Sequence, residues 1–183
     1  MLSRLFALFL LILLSPIFLL VSLAILIEDG FPVFFTQKRV GINYSFFNIY
    51  KFRSMRKNTP NVATHLLENP NQYLLKIGKF IRKTSLDELP NLINIIKGEM
   101  VFVGPRPALY NQDDLMEFRV ATGVSELKPG ITGWAQINGR DEISIAEKVK
   151  LEQEYLYRKS IFFDLEIIFK TFTKKKSLFR DSF

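Results

Sequence analysis

The first 29 residues constrain this chain most. From Leu5 to Ile27 the only interruptions in an apolar run are Ser15, Pro16 and Ser22. At ~1.5 Å rise per residue the run makes ~34 Å as one helix, enough to cross a ~30 Å hydrocarbon core. Ser15-Pro16 stands at its midpoint. Pro16 offers no N–H and its ring crowds the carbonyl of Ile12, so the helix kinks or breaks there. Ser15 can donate its hydroxyl back to a carbonyl of the preceding turn and bend it further. Each half is then only ~15–16 Å long, too short to span. A kinked spanning helix and a re-entrant hairpin both satisfy these constraints. Flanking charge does not choose between them. Arg4 and the terminal amine precede the run, and Glu28, Asp29, Lys38 and Arg39 follow it. The lack of a positive-inside asymmetry is what two ends on the same side would give. A signal peptide fits poorly, because the run is long and ends in Ile27-Glu28-Asp29-Gly30 rather than at a small-residue cleavage site.

The remainder, about one domain in length, alternates extended and helical patterns, an α+β arrangement. Pro32 to Gln37 and Ser45 to Phe52 flank Gly41-Ile42-Asn43 and predict a hairpin. Residues 56–72 carry Pro60 and Pro70 and read as a loop, with His65 a solvated surface histidine. Tyr73 to Lys83 is amphipathic, with Ile77, Phe80 and Ile81 on one face and Lys76, Lys79 and Lys83 on another. A second helix is expected over 87–97, stopped by Gly98. The strand Met100–Val103 runs into Gly104-Pro105-Arg106-Pro107. Ser144-x-x-Glu147 is a capping-box signature for a helix to about Arg158. A last helix from Ile161 to about Lys174 repeats Ile161, Leu165, Ile168, Phe169 and Phe172 and ends in three lysines. It suits an interfacial helix on acidic lipid and, equally, a helix packed on the domain core.

A formal charge of +7 suits an anionic partner. With zero cysteines, disulfides, zinc thiolates and thiol nucleophiles are excluded. The densest chemistry lies in Arg82-Lys83-Thr84-Ser85-Leu86-Asp87-Glu88-Leu89-Pro90. Ser85-x-x-Glu88 could be a mere capping box, but Pro90 would then break a helical bond to Leu86; with Asp87 as N-cap it would not. Either way Asp87 sits where free N–H groups favour an anion, a natural seat for phosphate. An ionised carboxylate there is a candidate nucleophile or Mg²⁺ ligand. Lys51, Arg53, Arg82 and Arg106 stand at element ends, and a diphosphate needs several cations. Pro105 and Pro107 would stiffen the loop around Arg106.

The stretches Leu14-Ser15-Pro16, Gly30 with Pro32 to Gln37 and Gly41, Tyr50-Lys51-Phe52-Arg53-Ser54-Met55, Thr84 to Pro90, Gly98-Glu99-Met100, Val103 to Pro107 and Pro129 to Arg140 occur in that order. Along nearly its whole length the chain resembles the small monotopic phosphoglycosyl transferases, the bacterial sugar transferase family. The resemblance implies that Ser15 and Pro16 form a re-entrant helix-break-helix over residues 1–29, followed by a cytosolic catalytic domain over 30–183 with interfacial helices. It implies Asp87 as nucleophile, Glu88 as its dyad partner, and Mg²⁺ as cofactor with Asp87 as a ligand. Arg82, Arg106, Gln136, Asn138 and Arg140 would bind phosphate and a UDP-sugar, with Lys51 and Arg53 as further contacts and Trp134 as loop packing. The implied reaction moves sugar-1-phosphate from the UDP-sugar to polyprenol (undecaprenyl) phosphate, releasing UMP through a covalent Asp87 intermediate. That places the protein at the cytoplasmic leaflet of the bacterial inner membrane, at the first membrane step of glycoconjugate synthesis.

Members of that family often carry a charged stretch before the membrane segment, where this chain has Met1 to Arg4. Longer relatives add a large domain and four spanning helices, so the catalytic unit alone is expected here. Two other classes fit the composition: a membrane-bound hydrolase using Asp87 without a lipid acceptor, and a non-enzymatic binder of acidic lipid or nucleic acid. Binding of nucleic acid is not expected, because the basic residues lie at motif positions rather than clustered with exposed aromatics.

Overall fold

The structure is a computed structural model that describes residues 1–60, 69–139 and 143–180, with the side chains of 70 and 174–180 left aside. His65 and Arg140 lie outside the described residues. The elements run α1 (Leu2–Leu13), α2 (Ser15–Asp29), β1 (Phe34–Val40), β2 (Phe46–Phe52), α3 (Lys76–Thr84), α4 (Asn91–Lys97), β3 (Val101–Val103), α5 (Asp113–Ala121), β4 (Gly130–Thr132), α6 (Trp134–Ile137), α7 (Ile145–Arg158) and α8 (Ile161–Arg180). Among the described residues the chain is mixed α/β, with β1 paired to β2 and β3 to β4 in two-stranded sheets. Its contacts gather into two compact units, Met1–Gln37 with Ile49–Ile96 and Lys38–Asn48 with Lys97–Phe183.

In the first unit the apolar run breaks where Ser15-Pro16 predicts. α1 and α2 meet at Leu14 with a bend of 61°, and neither helix is long and apolar enough to cross a membrane singly. Ser15 Oγ donates to Ile12 O at 2.7 Å, which satisfies the carbonyl that Pro16 leaves without its N–H. Leu5, Phe9, Ile12, Leu13, Leu20 and Ile27 stay exposed. Only one stripe of α2 is buried: Val21 and Ile25 pack with Phe52, Leu75 and Ile81. An uncovered apolar surface of this extent is what a chain presents to lipid or a partner rather than to water.

The expected hairpin forms, β1 pairing with β2 around the Gly41-Ile42-Asn43 turn. Asn43 and Tyr44, not Gly41, hold positive φ, and Gly41 N donates to Ser45 O at 2.7 Å. The helix expected at Tyr73–Lys83 starts later, at Lys76, because Leu75 turns inward to be buried and residues 70–73 form a 3₁₀ turn. Lys76, Lys79 and Lys83 are exposed along it. Gly78 lets α3 lie directly on the chain at Ser54, where a Cβ would come within 2.0 Å of the Ser54 carbonyl oxygen.

Among the described residues of the second unit, two apolar clusters pack the interior. Val40, Ala108, Leu115, Met116, Val124 and Val149 form one; Val103, Leu127, Ile137, Tyr155, Phe163 and Ile167 form the other. β3 and β4 are parallel, with Val101 opposite Gly130 and Val103 opposite Thr132. Strand β4 and helix α6 have only three and four residues, too few to carry a readable periodicity; α5, at nine residues, has no clear apolar face to mark it. The Ser144–Glu147 capping box is present, Glu147 N donating to Ser144 Oγ at 3.2 Å and Ser144 N to Glu147 Oε2 at 3.1 Å. Helix α8 runs beyond the expected end, to Arg180. Its packed face is Phe163 and Ile167, whereas Ile161, Leu165, Phe169 and Phe172 of the predicted stripe point outward. Phe163 and Ile167 make a second apolar strip, divided from the first by Asp164 and Thr171 on one side and by Glu166 and Lys170 on the other, so periodicity alone could not choose the inner face.

Candidate active site

Asp87 and Glu88 lie on a 3₁₀ turn, Leu86–Glu88, between α3 and α4. Ser85 ends α3 in the left-handed conformation, φ 59° and ψ 22°, and so reverses the chain before the acidic pair. It makes no side-chain cap bond to the turn. The capping-box alternative therefore does not form, and the expected continuous helix over 87–97 is replaced by the turn and a helix opening at Asn91, just after Pro90. Pro90 decides this: placed before the first helical residue, it breaks no intrahelical bond.

The Glu88 carboxylate accepts from Lys51 Nζ at 2.8 Å, with both side chains about four-fifths shielded. Asp87 is half-buried on the same turn. Burial, and then the adjacent Glu88 carboxylate, push the Asp87 carboxyl above the usual carboxylate range; Lys51, Arg82 and the backbone N–H of Asp87 oppose this. Arg82 is exposed in the last turn of α3, with Nη2 3.8 Å from Met55 Sδ. The first unit thus gathers Lys51, Arg82, Asp87 and Glu88. Such an arrangement can receive a phosphoryl group between cations and a partly desolvated carboxylate.

Arg53 has other partners. It is buried, and its guanidinium holds Asp29 and the carbonyl of Gly30. In the second unit Arg106 is half-buried between the buried Pro105 and Pro107. Three bonds fix its loop: Gly130 N donates to Pro105 O at 2.9 Å, Arg119 Nη2 to Arg106 O at 2.9 Å and Arg39 Nη1 to Pro107 O at 3.0 Å. Gly104 permits this turn, since a Cβ there would stand 2.4 Å from the carbonyl oxygen of Lys128. Gln136 Nε2 donates to Ile131 O at 3.3 Å, and its Oε1 is buried without a hydrogen-bond partner beside a small cavity shared with Arg106 and Glu152. Asn138 is exposed and donates from Nδ2 to Trp134 O at 2.9 Å. Trp134 packs against Phe163 with the rings tilted at 55°, and donates to Glu154 at 2.9 Å.

Two features escaped the sequence reading. Arg119 and Glu152 form a buried ion pair, with Nε donating to Oε2 at 2.8 Å. The available signal was Glu152 on the apolar face of its helix, between Val149 and Tyr155. The second is Glu28-Asp29, read only as the end of the apolar run.

Magnesium can be weighed against the donors present. Among the described residues no three His, Cys, Asp or Glu side chains converge as a ready-made cage. Mg²⁺ commonly takes one or two carboxylates and completes its shell with phosphate oxygens and water. Asp87, whose charge is disfavoured by burial and by Glu88, fits that pattern; Glu88 is engaged by Lys51.

A family model for the bacterial sugar transferases matches residues 1–177. The chain belongs to that family. Among related bacterial sugar transferases, EpsL of Bacillus subtilis (strain 168), itself described as uncharacterized, is 42% identical over 177 residues, 94% of this chain and 86% of that protein. The undecaprenyl-phosphate glucose phosphotransferase of Komagataeibacter xylinus is 40% identical, covering 95% of this chain and 35% of its own length. The UDP-glucose:undecaprenyl-phosphate glucose-1-phosphate transferase of Escherichia coli (strain K12) is 39% identical, covering 90% and 37%. This bacterial sugar transferase thus spans most of the first relative and about a third of the other two.

Proposed function

We propose that this chain transfers sugar-1-phosphate from a UDP-sugar to undecaprenyl phosphate, releasing UMP, at the cytoplasmic leaflet of a bacterial inner membrane. The Asp87 turn carries the reading: a half-buried carboxylate beside Glu88, Lys51 and Arg82, in a chain whose relatives bear the names of undecaprenyl-phosphate sugar transferases. Asp87 attacks the β-phosphorus and the bond to the UMP oxygen breaks, leaving a sugar-phosphoryl aspartate. The phosphate oxygen of the polyprenol then attacks that phosphorus and regenerates the Asp87 carboxylate. Splitting one displacement into two lowers each barrier. Lys51 holds Glu88 in place, and Arg82 offers a guanidinium to the transferring oxygens. By motif position Arg106, Gln136, Asn138 and Arg140 are assigned to the nucleotide sugar. Magnesium, held by Asp87 with phosphate oxygens, would neutralise charge on the phosphoryl group.

A screen of UDP-sugars for UMP release, with and without undecaprenyl phosphate, tests the reaction. Chelation is expected to abolish turnover, with restoration by Mg²⁺; full activity in excess chelator refutes the metal assignment. Release of free sugar phosphate without a lipid acceptor would replace the transferase reading with a hydrolase.

The bent pair α1–α2 is read as a re-entrant hairpin, with both ends on the cytoplasmic side. Cysteines introduced at positions 3 and 29 are then labelled from that side only; one label from each face overturns it. Pro16→Ala should straighten the segment and move it toward a spanning topology.

A further inference from the structure

We infer that Glu28 and Asp29, the last two residues of α2, are positioning residues for the transfer reaction, tying the seating of the apolar segment to the turn that bears the acidic pair. This rests on the functional reading above and adds residues that it does not use.

Glu28 reaches far along the chain to cap α3. Its carboxylate accepts from Lys76 N at 2.6 Å and Ile77 N at 3.1 Å, two donors of the first helical turn. The residue at the N-cap position, Leu75, has no side-chain acceptor and is buried. A carboxylate at this end also meets the positive pole of the helix. α3 is one nine-residue helix whose last turn carries Arg82 and whose end, at Ser85, opens the Asp87 turn. A shift at its first turn is therefore carried to Asp87.

Asp29 provides a second route, toward Glu88. Arg53 Nη1 donates to its carboxylate, Arg53 Nη2 donates to Asp29 O at 3.2 Å, and Lys57 N donates to Asp29 Oδ2 at 3.3 Å. Burial works against the Asp29 charge, but Lys57 N–H and Arg53 hold its carboxyl below the usual range. Arg53 directly follows the last residue of β2, two residues beyond Lys51 on that strand. Lys51 in turn holds Glu88. Ser54 closes the frame, its carbonyl accepting from Leu75 N at 3.0 Å beside Gly78. Each member of the dyad is thus linked to the end of α2, Asp87 through a helix and Glu88 through a strand.

The test uses the full chain in lipid nanodiscs containing undecaprenyl phosphate, with Glu28→Gln, which keeps the size but replaces one acceptor by a donor. Loss of such a cap is expected to lower kcat for UMP release on the order of tenfold, with KM for the UDP-sugar within about twofold. Amide hydrogen exchange should quicken at Lys76 and Ile77 and also at Glu88 and Leu89, whose N–H groups close the Asp87 turn. Glu28→Asp should recover part of the rate. Quickened exchange confined to the first turn of α3, or either readout moving without the other, overturns the inference. Should Glu28→Gln not fold, Asp29→Asn is read in the same two ways. If the unaltered protein releases no UMP from any UDP-sugar, the functional reading fails, while exchange at Glu88 and Leu89 still decides whether the coupling exists.

Discussion

Asp87→Asn should abolish UMP release and raise the melting temperature in the same variant. Both follow from one placement. Asp87 is half-buried beside Glu88, and burial first, then the Glu88 charge, raise its pKa despite Lys51 and Arg82. For an acid raised above its unfolded value, the stabilising contribution is complete below the unfolded pKa. It is lost as pH rises through the folded one. At neutral pH the ionised carboxylate is therefore a net destabilisation, which Asn removes. The stability gain should be present at neutral pH and shrink toward acid. A Tm that falls at pH 7, in an otherwise folded variant, would contradict the electrostatic account.

Asp87 is the proposed nucleophile. With UDP-sugar alone, the unaltered protein should release a burst of UMP no larger than the enzyme present, and a labelled β-phosphate should remain on the chain. Asp87→Asn loses both, a fall of more than ~10³-fold, as expected when a nucleophile is removed. Glu88→Gln should slow the reaction while leaving some label, because Glu88 is bound to Lys51. Label surviving in Asp87→Asn and vanishing in Glu88→Gln would move the nucleophile by one residue. UMP release only when both substrates are present would favour a ternary complex, with the dyad as metal ligand and general base.

Glu152→Gln should be the most destabilising single change in the second unit, by about 3–5 kcal/mol. Arg119 and Glu152 are 5% and 2% exposed, so water cannot replace the lost carboxylate. The uncompensated guanidinium would remain buried, and a buried pair broken on one side costs far more than the pair is worth intact. For a chain of this length Tm should fall by roughly 6–20 °C. Arg119 Nη2 also donates to the Arg106 carbonyl, so the Arg106 loop should loosen in the same variant. The double variant Arg119→Met, Glu152→Leu should recover much of the stability but not the hold on Arg106. Thermal unfolding decides this: a loss below ~1 kcal/mol for Glu152→Gln would show that the pair is not buried in solution.

Features that are covalent, periodic or local were legible in the residues alone. Pro16 lacks an N–H, so the helix had to break near Ser15, and it breaks at Leu14. Ser144 and Glu147 are three residues apart and cap each other as their spacing requires. Motif order alone carried the family. The tertiary structure decided which charges meet. Lys51 and Glu88 are 37 residues apart, Arg119 and Glu152 33, and Lys76 and Glu28 48. No local pattern encodes such distances, because each pair exists only after helices and strands have packed. Arg53 shows the limit best: by motif it stood among the phosphate-binding cations, while in the fold it is buried against Asp29 and Gly30. A guanidinium serves a carboxylate or a carbonyl as readily as a phosphate, and only the folded surroundings say which one it meets.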